Sequence, residues 1–134
     1  MYAVEHSPTN IHPIPDNAPI EKIVILVAMM EEAAPIITAL ELTEYDAGLN
    51  PLLHLRCYHG KLKNRSFDLI VNGEDPQFGV ARVGTESAAI CAYEVITKLN
   101  PDTIISAGTA GGYASKGACV GDIYIASKYF SIKR

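Results

Sequence analysis

Hydrophobic positions along the chain first mark a buried strand and then a helix that follows it directly. Aliphatic and β-branched residues fill positions 22–29 without alternation, which is typical of a strand buried on both faces in a parallel sheet. Apolar residues then recur at helical spacing over 31–42, where Pro35 is compatible with a helix only near its first turn. The pattern therefore predicts a strand-to-helix corner with Glu31 and Glu32 at the helix start.

The next segment predicts a hairpin. Residues 52–59 form a short strand whose partner the pattern leaves open, and residues 60–64 can turn it into a second strand over 66–72. Turn-forming residues at positions 48, 50 and 51 separate this hairpin from the helix before it.

A second helix and a further buried strand follow. Gly84-Thr85-Glu86 has the composition of a helix start, with Thr85 as the capping side chain, and Asn100-Pro101 ends the helix. Its apolar face consists of five residues: Ala88, Ala92, Val95, Ile96 and Leu99. Residues 102–107 predict a buried strand, 108–121 a glycine-rich connection and 122–127 another strand. Alternating strands and helices indicate an α/β fold.

Composition and length fit one domain behind a short leader. Residues 1–20 carry four prolines and several polar residues, a composition that resists helix and sheet, so we expect a flexible leader. Residues 21–134 suit one globular unit, because 49% of the side chains are hydrophobic and 19% are charged. Since α/β domains often exceed this length, we expect this unit to be the N-terminal part of a larger domain.

Charge, hydropathy and cysteine content disfavour several classes of protein. The net charge is −4 and the eleven Lys and Arg residues are scattered, so we do not expect nucleic acid as a partner. The longest apolar run, 23–30, is far shorter than the roughly 20 residues that cross a membrane. Cys57, Cys91 and Cys119 form no CxxC pair, which argues against a disulfide framework and a thiolate zinc site. We expect a cytoplasmic protein without a bound metal.

The turn Gly108-Thr109-Ala110-Gly111-Gly112 directly follows the predicted strand 102–107. Ligands of open α/β folds bind at the carboxyl ends of parallel strands, and three glycines allow positive φ and close backbone approach. The N–H groups of the turn could form a concave nest for an anion, a hydroxyl or a water. A tight turn that merely needs glycine explains the same composition.

The titratable side chains also leave two interpretations open. Glu31 and Glu32 could serve as partners of the helix dipole, or act as a base toward a water in a site that excludes bulk solvent. His54 and His59 would point to opposite faces of one strand, so we expect structural or surface roles for them. The three cysteines look like small buried hydrophobes. Phosphate-binding P-loop and dinucleotide-binding glycine motifs are absent from the sequence.

Four segments taken together, in this order and at these distances, resemble a known family. They are Ile25-Leu26-Val27-Ala28-Met29-Met30-Glu31-Glu32-Ala33-Ala34-Pro35, Val83-Gly84-Thr85, Ser106-Ala107-Gly108-Thr109-Ala110-Gly111-Gly112 and Gly117-Ala118-Cys119-Val120-Gly121-Asp122-Ile123. The set resembles the methylthioadenosine/S-adenosylhomocysteine nucleosidases of the nucleoside phosphorylase superfamily, most closely the plant type, over residues 22 to about 127. The resemblance implies the N-terminal half of a three-layer α/β fold with a central mixed, mainly parallel sheet.

The resemblance also implies a set of site residues. Glu32 matches the glutamate that helps to position and activate the attacking water. Five further positions match residues that contact the water or the substrate: Met29, Val83, Thr109, Ala110 and Gly111. The implied site needs no cofactor and no metal.

The implied activity is hydrolysis of the N-glycosidic bond of 5′-methylthioadenosine, in methionine salvage, with S-adenosylhomocysteine as a second candidate substrate and a homodimer as the full-length form. In the family, a ribose-binding Met-Glu segment and the aspartate that protonates the purine come later than position 134. One alternative is therefore a catalytically incomplete chain. Another is a phosphorolytic nucleoside phosphorylase, for which Arg82 is the candidate phosphate ligand.

Overall fold

Residues 19–126 are described by the computed structural model, and five of their segments pair into one mixed sheet. The strands are β1 (Lys22–Val27), β2 (Thr43–Glu44), β3 (Arg56–Leu62), β4 (Arg65–Val71) and β5 (Thr103–Ser106), in the spatial order β2-β3-β4-β1-β5. β1 runs parallel to both of its neighbours, β4 and β5, whereas β2, β3 and β4 pair antiparallel. The predicted mixed α/β sheet is confirmed, and its parallel part brings three carboxyl ends to one edge.

Two helices cover the two faces of the sheet and make three layers. Helix α1 (Met30–Ala39) buries Ala33 completely against one face, in a cluster with Ile23 and Ile25 of β1. Helix α2 (Thr85–Leu99) packs on the other face, where its buried residues are Cys91 and Val95. Side chains of a strand alternate between faces, so β1 is apolar from Ile23 to Val27 because both of its faces are covered.

The corner from β1 into α1 follows the sequence prediction closely. Glu31 and Glu32 lie in the first turn of α1, and the carbonyl of Met29 accepts hydrogen bonds from the N–H groups of Glu32 and Ala33. The helix ends at Ala39, three residues earlier than predicted, because Glu41 adopts a left-handed φ of 51°.

The hairpin prediction is confirmed for β3 and β4 but its first strand begins later than expected. Pro51–Leu53 forms a 3-10 turn that the side chain of Asn50 caps through the N–H of Leu52, and His54 is left-handed. His54 therefore lies outside the strand, and the prediction that it shares a strand with His59 was wrong. Proline at the start of the turn favours this local structure over an extended one.

Helix α2 corrects two further predictions. Gly84 is its N-cap residue, with a φ of 121°, and the hydroxyl of Thr85 donates to the carboxylate of Glu86 instead of capping the helix. On the predicted apolar face, Val95 is fully buried, while Ile96 is 53% exposed. The predicted end is confirmed, because Asn100 takes the left-handed conformation that closes the helix.

The C-terminal part of the described chain is more exposed than predicted. β5 is an edge strand, so Ile105 is 46% exposed rather than buried. No strand forms over residues 122–126, which pair with no neighbouring strand among residues 19–126, and Ile123 and Ile125 are almost fully exposed. Cys119 is exposed, unlike the buried Cys57 and Cys91. The predicted leader up to residue 18 and the predicted strand end at Ser127 lie outside the described residues.

Asp102 holds the start of β1 against the start of β5. Its carboxylate accepts hydrogen bonds from the backbone N–H groups of Lys22 (2.7 Å) and Glu21 (2.9 Å). These two donors lower the pKa of Asp102 from its ordinary value.

No helix within residues 19–126 is long and apolar enough to cross a bilayer.

Replacing Gly73 by alanine should destabilise the fold, because Gly73 joins β4 to the loop beside the sheet edge. A Cβ atom there would lie 2.4 Å from the carbonyl oxygen of Leu53 and 2.6 Å from that of His54. Backbone must move to admit it, so we expect a loss of roughly 1–3 kcal/mol in the free energy of unfolding. Denaturant unfolding measures this loss.

The matched control is Gly111→Ala. A Cβ at Gly111 would meet no atom within 4 Å, and its φ is not left-handed, so the free energy of unfolding should stay within about 0.5 kcal/mol of wild type. Equal losses in the two variants would contradict the steric explanation.

Candidate active site

A cavity of about 360 Å³ opens at the edge of the sheet where the three parallel strands end. β1, β4 and β5 contribute the residues at or just beyond their carboxyl ends, and one residue comes from each helix. Six of the lining residues are Ala28, Glu32, Asn72, Ala88, Ser106 and Thr109. This is the position where open α/β sheets bind small ligands, and the volume suits one.

One carboxylate oxygen of Glu32 is held by two hydrogen bonds from Thr109. The backbone N–H and the side-chain hydroxyl of Thr109 both donate to Oε1, each over 2.7 Å. Glu32 follows β1 and Thr109 follows β5, and the parallel register sets Leu26 opposite Ser106. Two residues 77 positions apart therefore meet because neighbouring parallel strands end at the same edge.

These hydrogen bonds keep Glu32 charged. The backbone N–H of Thr109 is the largest cause that lowers the pKa of Glu32, followed by the hydroxyl of Thr109, while partial burial acts in the opposite direction. Glu32 also lies in the first turn of α1, where the positive end of the helix dipole favours an anion. Glu32 is the one ionisable side chain that residues 19–126 place in the lining of this cavity.

The second oxygen of Glu32, Oε2, is buried and has no hydrogen-bond partner among residues 19–126. The backbone N–H groups of Met29 and Ala28 lie near the carboxylate and contribute to its lowered pKa. Oε2 also lies beside Gly108, where a Cβ would be 3.3 Å from Oε1 and 3.4 Å from Oε2. A buried carboxylate oxygen without a partner costs free energy.

The glycine turn combines features of both interpretations that the sequence left open. The anion that its backbone holds is the chain's own Glu32, through the N–H of Thr109. Close approach is the property of Gly108 that matters, since a side chain there would press against the carboxylate. Positive φ is not required, because Gly108, Gly111 and Gly112 all avoid the left-handed region.

The other predicted site residues lie away from the cavity lining in the described part of the chain. Met29 is the N-cap residue of α1 and contributes its carbonyl to the helix start. Val83 is 58% exposed. Ala110 and Gly111 follow Thr109 on the exposed side of the turn. The structure thus brings together Glu32 and Thr109, whereas a contact of the other four residues with a ligand stays a prediction.

Two polar residues of the cavity were missed by the sequence interpretation. Asn72 follows the last residue of β4, and its side-chain N–H donates to the carbonyl of Arg82 over 3.1 Å. Ser106 is the last residue of β5. The available signal was a polar residue that ends an apolar run at the carboxyl edge of a strand.

Arg82 does not join Glu32. It lines a second cavity of about 60 Å³ together with Ser87 and Cys91, and this cavity shares Asn72 with the Glu32 cavity. Residues 19–126 also contain no group of three His, Cys, Asp or Glu side chains placed to hold a metal ion.

Comparison with known families matches residues 22–133 to the phosphorylase superfamily. The chain belongs to this superfamily. It is 38% identical over 113 residues to the 5′-methylthioadenosine/S-adenosylhomocysteine nucleosidase of Arabidopsis thaliana, covering 84% of this chain and 44% of that protein. It is 37% identical over 110 residues to the 5′-methylthioadenosine nucleosidase of the same plant, covering 81% of this chain and 41% of that protein.

Solved structures agree with this superfamily assignment. A crystal structure of the MTA/SAH nucleosidase superposes with a TM-score of 0.74 at 39% identity, covering 78% of this chain and 43% of that one. The chain thus spans less than half the length of the curated relatives that it matches. The expected superfamily and its α/β fold are confirmed.

Replacing Thr109 by valine should raise the pKa of Glu32, because the variant loses the hydroxyl donor and keeps the backbone one. A carbon-detected NMR titration of the Glu32 carboxyl group measures this pKa. Since the hydrogen bond favours the charged form, its contribution to stability, about 1 kcal/mol, is present above the ordinary carboxyl pKa and is lost as the pH falls through the lowered pKa.

Thr38→Val is the control for this titration. The hydroxyl of Thr38 donates to the carbonyl of Ala34 within α1, so its removal should change stability equally at neutral and acidic pH. An unchanged Glu32 pKa in Thr109→Val would contradict the assigned hydrogen bond.

Proposed function

We propose that the protein hydrolyses the N-glycosidic bond of 5′-methylthioadenosine, releasing adenine and the thioribose. The observation that carries this proposal is the charged Glu32, which Thr109 fixes at the carboxyl edge of the sheet in the lining of the cavity. The comparisons support this proposal because both Arabidopsis thaliana relatives are named as nucleosidases of methylthioadenosine.

Glu32 acts on the attacking water. The carboxylate, which Thr109 fixes in place, accepts a hydrogen bond from the water and orients the water's lone pair toward the anomeric carbon of the ribose. A carboxylate with a lowered pKa is a weak base, so it takes the proton late, after the C–O bond has begun to form and the water has become acidic. The immobilised carboxylate thus needs no rearrangement during the reaction.

The charge of Glu32 also stabilises the transition state. Cleavage of an N-glycosidic bond passes through an oxocarbenium-like state, which places positive charge on the ribose near the carboxylate. The leaving adenine must in turn gain a proton. Because Glu32 is the one ionisable group that residues 19–126 contribute to the cavity lining, this proton comes from solvent or from a group outside that part of the chain.

Hydrolysis is favoured over phosphorolysis. A phosphorolytic enzyme needs a cation beside the attacking phosphate, and Arg82, the candidate for that role, is not among the residues that line the Glu32 cavity, although the two cavities share Asn72. A charged carboxylate at the position of the nucleophile would repel phosphate but not water.

We further propose that the protein acts in methionine salvage in the cytoplasm and as a homodimer. Free cysteines, two of them buried, suit a reducing compartment. Exposed apolar side chains on α2, Ile90, Tyr93 and Ile96, offer a surface for a second copy. Light scattering on the purified protein would contradict the dimer if it gave the mass of a monomer.

Replacing Glu32 by glutamine should lower the rate of adenine release from methylthioadenosine by about 10²–10⁴-fold, since the variant keeps an acceptor for Thr109 but cannot take a proton. Adenine release is followed by a coupled assay or by chromatography. The control is Glu31→Gln, which neutralises the exposed neighbour in the same helical turn and should remain within about threefold of wild type. Equal rates in wild type and Glu32→Gln would contradict the role of Glu32.

Adding inorganic phosphate to the assay distinguishes hydrolysis from phosphorolysis and from a catalytically incomplete chain. Hydrolysis predicts the same rate of adenine release with and without inorganic phosphate, and a free thioribose as the second product. A rate that requires phosphate and yields a sugar phosphate would instead establish phosphorolysis. Binding of methylthioadenosine without adenine release under either condition would support a catalytically incomplete chain.

A further inference from the structure

A groove lies at the tip of the hairpin formed by β3 and β4, at the opposite end of the sheet from the Glu32 cavity. Its volume is about 470 Å³, and its lining residues are Leu62, Lys63, Asn64, Arg65 and Phe67. β4 begins at Arg65, whereas the Glu32 cavity lies where the parallel strands end. The catalytic proposal therefore gives this groove no role.

The floor of the groove is apolar and lies on the face of the sheet that carries α1. Phe67 packs beside the buried cluster of that face, which includes Ala33 of α1. Leu42 covers the same face at Gly60, where a Cβ would lie 2.6 Å from the Leu42 side chain. Two residues further along β3, Leu62 points to this face as well and is 51% exposed. The tip of the hairpin thus extends past the layer that covers the rest of this face.

Two cations border this apolar floor, and neither forms an ion pair within residues 19–126. Arg65 donates through Nε to the carbonyl of Ile20 over 3.2 Å, which orients its guanidinium. Lys63 is exposed and has a left-handed φ of 55°, a conformation that lysine rarely adopts. Residues 60–67 contain no Asp or Glu. An occupant of this groove should therefore combine an apolar side chain with a carboxylate.

The segment that enters the fold beside this groove has that composition. Residues 1–20 contain Glu5 and Asp16 but no Lys or Arg, and Pro13-Ile14-Pro15-Asp16 carries an apolar side chain close to an acid. The hydrogen bond from Arg65 to the carbonyl of Ile20 fixes where this segment meets the hairpin. Asp16 is four residues before Ile20, so the chain keeps it within roughly 14 Å of that point.

We propose that segment 13–16 docks in this groove of its own chain. Ile14 lies on the apolar floor, and the carboxylate of Asp16 faces Lys63 and Arg65. The two prolines restrict the segment to extended conformations, so docking costs less conformational entropy than it would for a segment without proline. Covalent attachment raises the effective concentration, so a small contact area suffices. The leader that the sequence predicts as flexible is then fixed from residue 13 onward.

NMR spectroscopy of the 134-residue chain tests this docking. We expect NOEs from the methyl groups of Ile14 to the ring of Phe67, and a heteronuclear NOE of ordered backbone at Asp16. Lys63→Gln should lower the ratio of docked to undocked segment roughly two- to fivefold, because one exposed ion pair is lost. Added salt should lower the ratio in wild type for the same reason.

Lys61→Gln is the matched control. Lys61 carries the same charge on the same hairpin, but it pairs with Ser66 and lies on the other face of the sheet. Its replacement should leave the ratio of docked to undocked segment unchanged. Exchanging the charges in the double variant Lys63→Glu with Asp16→Lys should restore the docking that Lys63→Glu alone weakens.

Three results would overturn the docking. They are the absence of NOEs between Ile14 and Phe67 in wild type, equal losses in Lys63→Gln and Lys61→Gln, and NOEs that arise only between isotopically labelled and unlabelled chains. The last result would place the segment in the groove of a second copy. Adenine release is scored separately and should not change in Lys63→Gln, because the groove and Glu32 lie at opposite ends of the sheet. The docking and the proposed function can therefore fail independently.

Discussion

The pair of hydrogen bonds from Thr109 to Glu32 is the constraint on which the candidate site depends. It joins the segments that follow β1 and β5 at their carboxyl ends, and Asp102 joins the same two strands at their amino ends. The same contact fixes one carboxylate oxygen and is the largest cause of the lowered pKa of Glu32. One contact thus both joins the two strands and fixes the carboxylate of the candidate site.

The antiparallel strand β3 adds its first residues to this edge, which is therefore longer than the parallel strands β4, β1 and β5 alone would make it. Turning β3 antiparallel sets Arg56 beside Val71, so charged residues from the hairpin reach the edge that also holds Glu32. Asn72 lines the Glu32 cavity and holds the following loop through the carbonyl of Arg82.

The glycine-rich turn shows why such a motif is ambiguous when it is considered alone. It holds an anion, as the sequence suggested, but that anion is a side chain of the same molecule. Gly108 is needed because a Cβ would crowd the carboxylate, whereas Gly111 has open space around it. Glycines of the same turn are thus needed for different reasons, because each has different neighbouring atoms.

Local chemistry determined the elements that the sequence predicts well. Continuous apolar residues define β1 and helical spacing defines α1 and α2, while the resemblance of four short segments predicts Glu32 and Thr109 as site residues. The failed predictions concern neighbours: β5 is exposed as an edge strand, residues 122–126 have no strand to pair with, and Gly84 rather than Thr85 caps α2. Only the tertiary structure decided that Thr109 meets Glu32 and that Arg82 does not, because those contacts follow from strand order and register, which join residues far apart in the chain.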